Sequence, residues 1–217
     1  MRKAWIAMVA AVLAIVMAGL AGVPILAAQG GPNQPPPQPV TLDPATSAVL
    51  VLDLNERCAD PAQVCSQLAP RVRPLLDKAR AAGVYIIYTV SGNAIGTPLQ
   101  PVWSGFDALP DEPVIYPDGL DKFQDGRGPS ELGAMLEDRG IRTVVITGSS
   151  SNNAVLFTAT GAARTYDLRV VIPYDGMNSV STYQDEYTVH QLSVMPTANV
   201  NVSFTTIDML QFAPGGM

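Results

Sequence analysis

Three short runs, AVLVL at 48–52, VYIIYT at 84–89 and TVVIT at 143–147, are apolar or β-branched without interruption. A strand with one face in water alternates apolar and polar residues, so unbroken runs mark strands covered on both faces. Between the first two lies a stretch with Val64, Leu68, Val72, Leu75, Leu76 and Ala79 at three- and four-residue steps, ending at Gly83. That spacing predicts a helix over 61–82, with the glycine just past its end. The same logic predicts helices over 129–139, 152–165 and 182–194, and strands over 168–172 and 202–205. Strand and helix alternate through residues 48–205, within a single domain expected over 48–217. The expected architecture is therefore α/β: a Rossmann-like three-layer sandwich, with a mostly parallel six-stranded sheet and helices on both faces.

The rest of the chain narrows the setting. Arg2 and Lys3 precede a stretch from Ala4 to Ala28 without a charge, which ends in the small residues Ala27 and Ala28. This predicts a signal peptide over 1–28, or an N-terminal membrane anchor if residues 4–23 stay attached. Residues 29–47, rich in Pro, Gly and Gln, read as a solvated linker. Export to the outside or to the cell envelope makes a disulfide between Cys58 and Cys65, the chain's two cysteines, the simplest use of them. The net charge of −6, with no cluster of Lys and Arg, argues against a nucleic-acid partner. A single histidine, His190, leaves no ligand set for a metal, and without GxGxxG or a P-loop nothing points to a nucleotide cofactor.

Chemistry in such sheets gathers at the carboxyl ends of the strands. Asp53 ends the first strand, residues 89–93 follow the second, residues 148–154 follow the strand at 143–147, and Asp175 follows the next. The segment from Ser91 to Gly128 is long and rich in Gly, Pro and Asp, with one edge strand expected at 114–116. Such a loop is able to bring Lys122 over the same rim. A strand-end aspartate is costly to bury unless paired, and this lysine is a fitting partner. In the same loop Trp103, Phe106 and Phe123 are candidates for the pocket wall, or for anchors holding the loop to the core.

Three segments, in order, carry a family resemblance: AVLVLDLNE, GLDKFQDGRGPSELGAML and TVVITGSSSNNAVLFTATGAARTYDLRVVIPYDGMNS. Together they resemble the isochorismatase-like, or cysteine hydrolase, superfamily over residues 48–205. The resemblance implies a hydrolase acting on a small organic molecule, often as a homo-oligomer. It assigns Asp53 as the acid/base, Lys122 as its lysine and Asp175 as a residue that fixes loops. A backbone turn often holding a non-proline cis peptide falls near Ser149–Ser150, where helix-terminal N–H groups, with Ser149, Ser150, Ser151, Asn152 and Asn153, would offer donors to an oxyanion or to substrate. Ser151 or Asn152 also fits a plain helix N-cap.

The family's nucleophilic cysteine falls on Ala154. Without a thiol no thioester forms, and a serine in its place would lack a histidine base. The expectation is an Asp-dependent hydrolysis without a covalent intermediate, as isochorismatases perform on a vinyl ether. Its rival is an inactive relative that kept the pocket to bind a small molecule or a protein. A pocket filled by Trp103, Phe106 or Leu156 would favour that rival.

Overall fold

The computed structural model describes residues 34–126 and 128–214, so the expected leader or anchor at 1–28 lies outside the described residues. In chain order the strands are β1 (Val40–Leu42), β2 (Ser47–Leu52), β3 (Tyr85–Thr89), β4 (Val114–Ile115), β5 (Gln124–Asp125), β6 (Gly128–Pro129), β7 (Thr143–Ser149), β8 (Arg169–Pro173), β9 (Met177–Asn178), β10 (Val202–Thr205) and β11 (Leu210–Phe212). The α-helices are α1 (Ala69–Ala82), α2 (Leu132–Asp138), α3 (Leu156–Arg164), α4 (Thr182–Val194) and α5 (Ala198–Asn201).

The main sheet runs β10-β8-β7-β2-β3-β4, and every pairing in it is parallel. The short β9 pairs with the end of β7 and makes a seventh strand beyond the six expected. Alternate residues of each strand feed different cores. Ala48, Leu50 and Leu52 of β2 pack with Val144, Ile146, Val170 and Ile172 under α2, α3 and α4. Val49 and Val51 pack with Ile86, Val145 and Val171 under α1, through Val72, Leu75, Leu76 and Ala79. Covering both faces is what removes polar residues from either side of these strands.

Four expectations need correction. The helix expected over 129–139 is Leu132–Asp138, with Pro129 in β6, and the one expected over 152–165 opens as a π turn, Ser151–Val155, before α3. In the stretch expected as a helix over 61–82 the bounds also differ. The helix begins at Ala69, not at residue 61, because the preceding stretch folds as two 3-10 turns, Glu56–Ala59 and Val64–Ser66, joined by a disulfide between Cys58 and Cys65. Val64 therefore belongs to a loop, although its spacing continues the helical pattern. The linker is also shorter than 29–47. Val40–Leu42 pairs in parallel with Leu210–Phe212, burying Val40 and Leu42 against Leu210 in the α1-side core, and Ser47 already belongs to β2. Pairing with a strand about 170 residues away along the chain supplies the burial that local composition gives no sign of.

Candidate active site

At the carboxyl end of β2 the chain turns out of the sheet through Asp53, which has a positive φ of 56°. Asparagine and aspartate tolerate this left-handed region better than most residues. The Asp53 N–H still donates to Thr89 O at 2.9 Å, so the side chain leaves the rim while its backbone remains tied to β3. Next to it, Gly148 of β7 pairs with Leu52, and a Cβ there would lie 2.3 Å from the Leu52 carbonyl oxygen. Only glycine lets the two strand ends approach this closely. The residues that follow, Ser149 to Ala154, are thereby delivered beside Asp53.

Lys122 reaches the same point from the loop before α2. Its Nζ lies 2.9 Å from Asp53 Oδ2, and the residue is 1 % exposed. The backbone around it is pinned: its N–H donates to Thr158 Oγ1 of α3 at 3.0 Å, and its carbonyl accepts from the Ser130 hydroxyl at 2.6 Å. A lysine this deep is tolerated only with a partner, and Asp53 is that partner. The other carboxylate oxygen, Asp53 Oδ1, is buried and has no hydrogen-bond partner among the described residues. It stands unpartnered in a side chain that lines a cavity.

That cavity has a volume of about 850 Å³ and is lined by Asp53 itself. One wall is the disulfide loop, through Asn55, Arg57, Gln63, Val64 and Cys65; another is the segment after β3, through Ser91, Asn93, Ala94, Thr97, Pro98 and Leu99. Leu120, Ser179 and Val180 complete it with the turn residues Ser149, Ser150, Asn153 and Ala154. The Ser149–Ser150 peptide is cis, where the resemblance placed it. Residues Ser151–Val155 then form a single π turn ahead of α3, which puts the methyl of the buried Ala154 at the cavity wall.

Of the five expected donors in the turn, the structure brings Ser149, Ser150 and Asn153 to the cavity and keeps two away. Ser151 is buried and donates to Asp185 Oδ1 at 2.6 Å, and Asn152 Oδ1 accepts from the Ser179 hydroxyl at 2.6 Å. Both brace the turn from behind. Burial pushes the Asp185 carboxyl above its ordinary value, and the Ser151 hydroxyl draws it partly back. Asp175 is likewise raised by burial; it accepts from the Ile207 N–H at 2.9 Å and so ties the loop after β8 to the approach of β11. His190 lies exposed on α4.

The three aromatic candidates for the pocket wall do not line it. Phe106 is fully buried, with Trp103 set edge-on against it at 5.0 Å between ring centres, and both pack on the α1-side core. Phe123 stacks on Tyr166 at 4.2 Å in the other core. A large ring in a loop gains more from a dry core than from an open cavity, and here the core was within reach. The cavity remains open, with none of Trp103, Phe106 or Leu156 among its lining. Sequence reasoning also missed Asn55 and Arg57. Their available signal was position: they stand two and four residues past the strand-end aspartate.

Across known proteins, the model of the isochorismatase domain matches residues 47–206. This chain belongs to the isochorismatase-like hydrolase family. Streptothricin hydrolase from Streptomyces noursei is 31% identical over 133 residues, which is 59% of this chain. The match spans about half, 48%, of that relative's length. Among solved structures, an isochorismatase family protein from Desulfovibrio vulgaris superposes with a TM-score of 0.63 at 19% identity, covering 75% of this chain and 95% of the other. The nicotinamidase of Staphylococcus aureus gives 0.60 at 19% identity, covering 73% and 97%. At such identities the likeness is one of fold, and it places this isochorismatase-like chain among α/β proteins of the same architecture.

Both cysteines of this family member are spent in the Cys58–Cys65 bond, and its sequence holds no third. Among the described residues no group of three or more His, Cys, Asp or Glu side chains is placed to hold a metal ion. What the site offers is a paired carboxylate with one free oxygen, amide and hydroxyl groups, and room.

Proposed function

We propose that this protein is an exported hydrolase that cleaves a small organic molecule without a thiol nucleophile, using Asp53 as its acid/base. The observation that carries the proposal is the intact Asp53–Lys122 pair standing beside an open cavity. A site kept only for bulk would have no use for a buried lysine whose single ion pair is to the cavity's aspartate. In the reaction, the Asp53 carboxylate accepts a proton from water as the oxygen adds to the reacting carbon; the bond to the leaving group breaks, and the same proton passes to it. Lys122 holds the carboxyl group in place and balances its charge while it is ionised. Hydroxyl and amide donors of the Ser149–Asn153 turn steady the oxygen on which negative charge gathers. The hydrolase name of a relative 31% identical supports hydrolysis as the reaction type. Export is supported by the uncharged stretch after Arg2 and Lys3 and by the disulfide.

Ala154, at the position where the resemblance puts the nucleophile, favours one second reading: a disarmed relative that binds and does not turn over. Hydrolysis of small amides, ureides and vinyl ethers by the full chain separates the two. Turnover that drops roughly 10²- to 10⁴-fold in Asp53→Asn supports the proposal. A silent parent with activity only in Ala154→Cys supports the second reading.

A further inference from the structure

Among the described residues, Arg57 and Asp53 are the only charged ones lining the cavity. Asp53 is balanced by Lys122, whereas the other ion pairs of the described residues join Arg73 and Arg80 to carboxylates and leave Arg57 without one. The acids nearest to it in the chain are engaged elsewhere. Glu56 accepts from the Ser104 N–H at 2.9 Å and hydroxyl at 3.2 Å, and Asp60 accepts from the Ala62 N–H at 2.9 Å. The guanidinium itself makes one long contact, from Nη2 to the Asp53 carbonyl oxygen at 3.4 Å, and its Nε is buried with no partner among the described residues. A chain with a net charge of −6 has thus kept, on the wall of its cavity, a cation with no ion pair among the described residues.

We infer that Arg57 is the specificity residue of this site and that it receives the single carboxylate of a small organic acid; this rests on the hydrolase reading above for the identity of that acid as substrate. The planar fork of a guanidinium matches a carboxylate with two parallel N–H···O bonds. One cation among neutral amides and hydroxyls suits a monoanion; a phosphate dianion calls for more positive charge than this wall holds. Ala94, Pro98, Leu99, Leu120 and Val180 give the remainder of the ligand an apolar lining. Because Nη2 touches the main chain of Asp53, the carboxylate is held only a few bonds from the position where Asp53 acts. Substrates whose acid group lies far along a chain are disfavoured.

Binding of benzoate and of nitrobenzene, which has nearly the same shape without the charge, tests this by calorimetry on the full chain. The parent is expected to prefer benzoate by roughly tenfold, the lower end of what a charge-assisted hydrogen-bond pair supplies. Arg57→Gln is expected to erase the preference and Arg57→Lys to keep part of it. Equal binding of the two probes, no binding of benzoate into the millimolar range, or a preference that persists in Arg57→Gln overturns the inference. The measurement needs no turnover. A chain that discriminates benzoate but hydrolyses nothing would sink the hydrolase reading and keep the carboxylate site, and active protein indifferent to Arg57→Gln would do the reverse.

Discussion

Lys122 and Asp53 are each tolerated in the interior because of the other. Removing the lysine alone strands a carboxylate at the floor of the cavity, and an uncompensated buried charge is costlier than a missing pair. Lys122→Met is therefore expected to lower stability by roughly 3 kcal/mol in urea unfolding, with most of the loss recovered in the Lys122→Met/Asp53→Leu double variant. This pair was legible from the sequence, since an acid ending an apolar run demands a partner and the chain has few lysines. Arg57 was not legible, because its importance lies in what fails to neutralise it, which only the folded arrangement of Glu56 and Asp60 decides. Trp103 and Phe106 were ambiguous for a related reason. A loop aromatic has the same appearance in sequence whether it faces a cavity or, as here, a core.

At the scale of elements, the strands were the easiest to foresee and the cavity walls the hardest. The apolar runs correspond to β2, β3 and β7 within two residues, and Thr182–Val194 and Val202–Thr205 agree at both ends. The wall that carries Arg57 has no period to detect, being two 3-10 turns closed by Cys58–Cys65 and tied at Val64 O by the Asn178 side chain at 2.8 Å. A bond that closes a loop this short adds stability by restricting the unfolded chain, and it also fixes the wall in the folded one. Replacing both cysteines by serine is expected to cost roughly 2 kcal/mol in chemical unfolding. Benzoate should bind the same variant more weakly while the far-ultraviolet circular dichroism of the sheet stays unchanged. The β1–β11 pair was illegible because neither strand has enough apolar residues to announce itself alone.

For the molecule as a whole, buried carboxyls pull its acid stability in two directions. Asp121, Asp175 and Asp185 are raised above the ordinary aspartate value by burial. Burial also pushes Glu112 up, but hydrogen bonds from Arg80, the Leu109 N–H and Tyr88 outweigh it and hold the carboxyl below the usual 4.5. A raised aspartate binds its proton more tightly when folded, so its contribution to stability grows as pH falls through the folded value and levels off below about 3.8, the unfolded one. The lowered glutamate does the opposite: its contribution is present above the unfolded value and lost as pH falls through the folded one. Denaturant midpoints over a pH series should show the parent's advantage over Asp185→Asn widening on acidification and its advantage over Glu112→Gln shrinking. The general architecture could be foreseen from hydrophobic patterning, but these shifts depend on depth and neighbours that patterning does not encode.

The placement of the two charges also bears on what descendants of this chain are able to become. Asp53 leaves the middle of a seven-stranded sheet, between β3 and β7, where almost any backbone change disturbs two cores at once. Arg57 stands on a stapled loop outside that sheet, packed on one side and facing the cavity on the other. Exchange of a side chain that faces the cavity from such a loop leaves the scaffold intact. Choice of ligand and ability to react are thus separately heritable: a lineage can trade one acid for another, or for an uncharged molecule, without having to rebuild the groups that would do the chemistry.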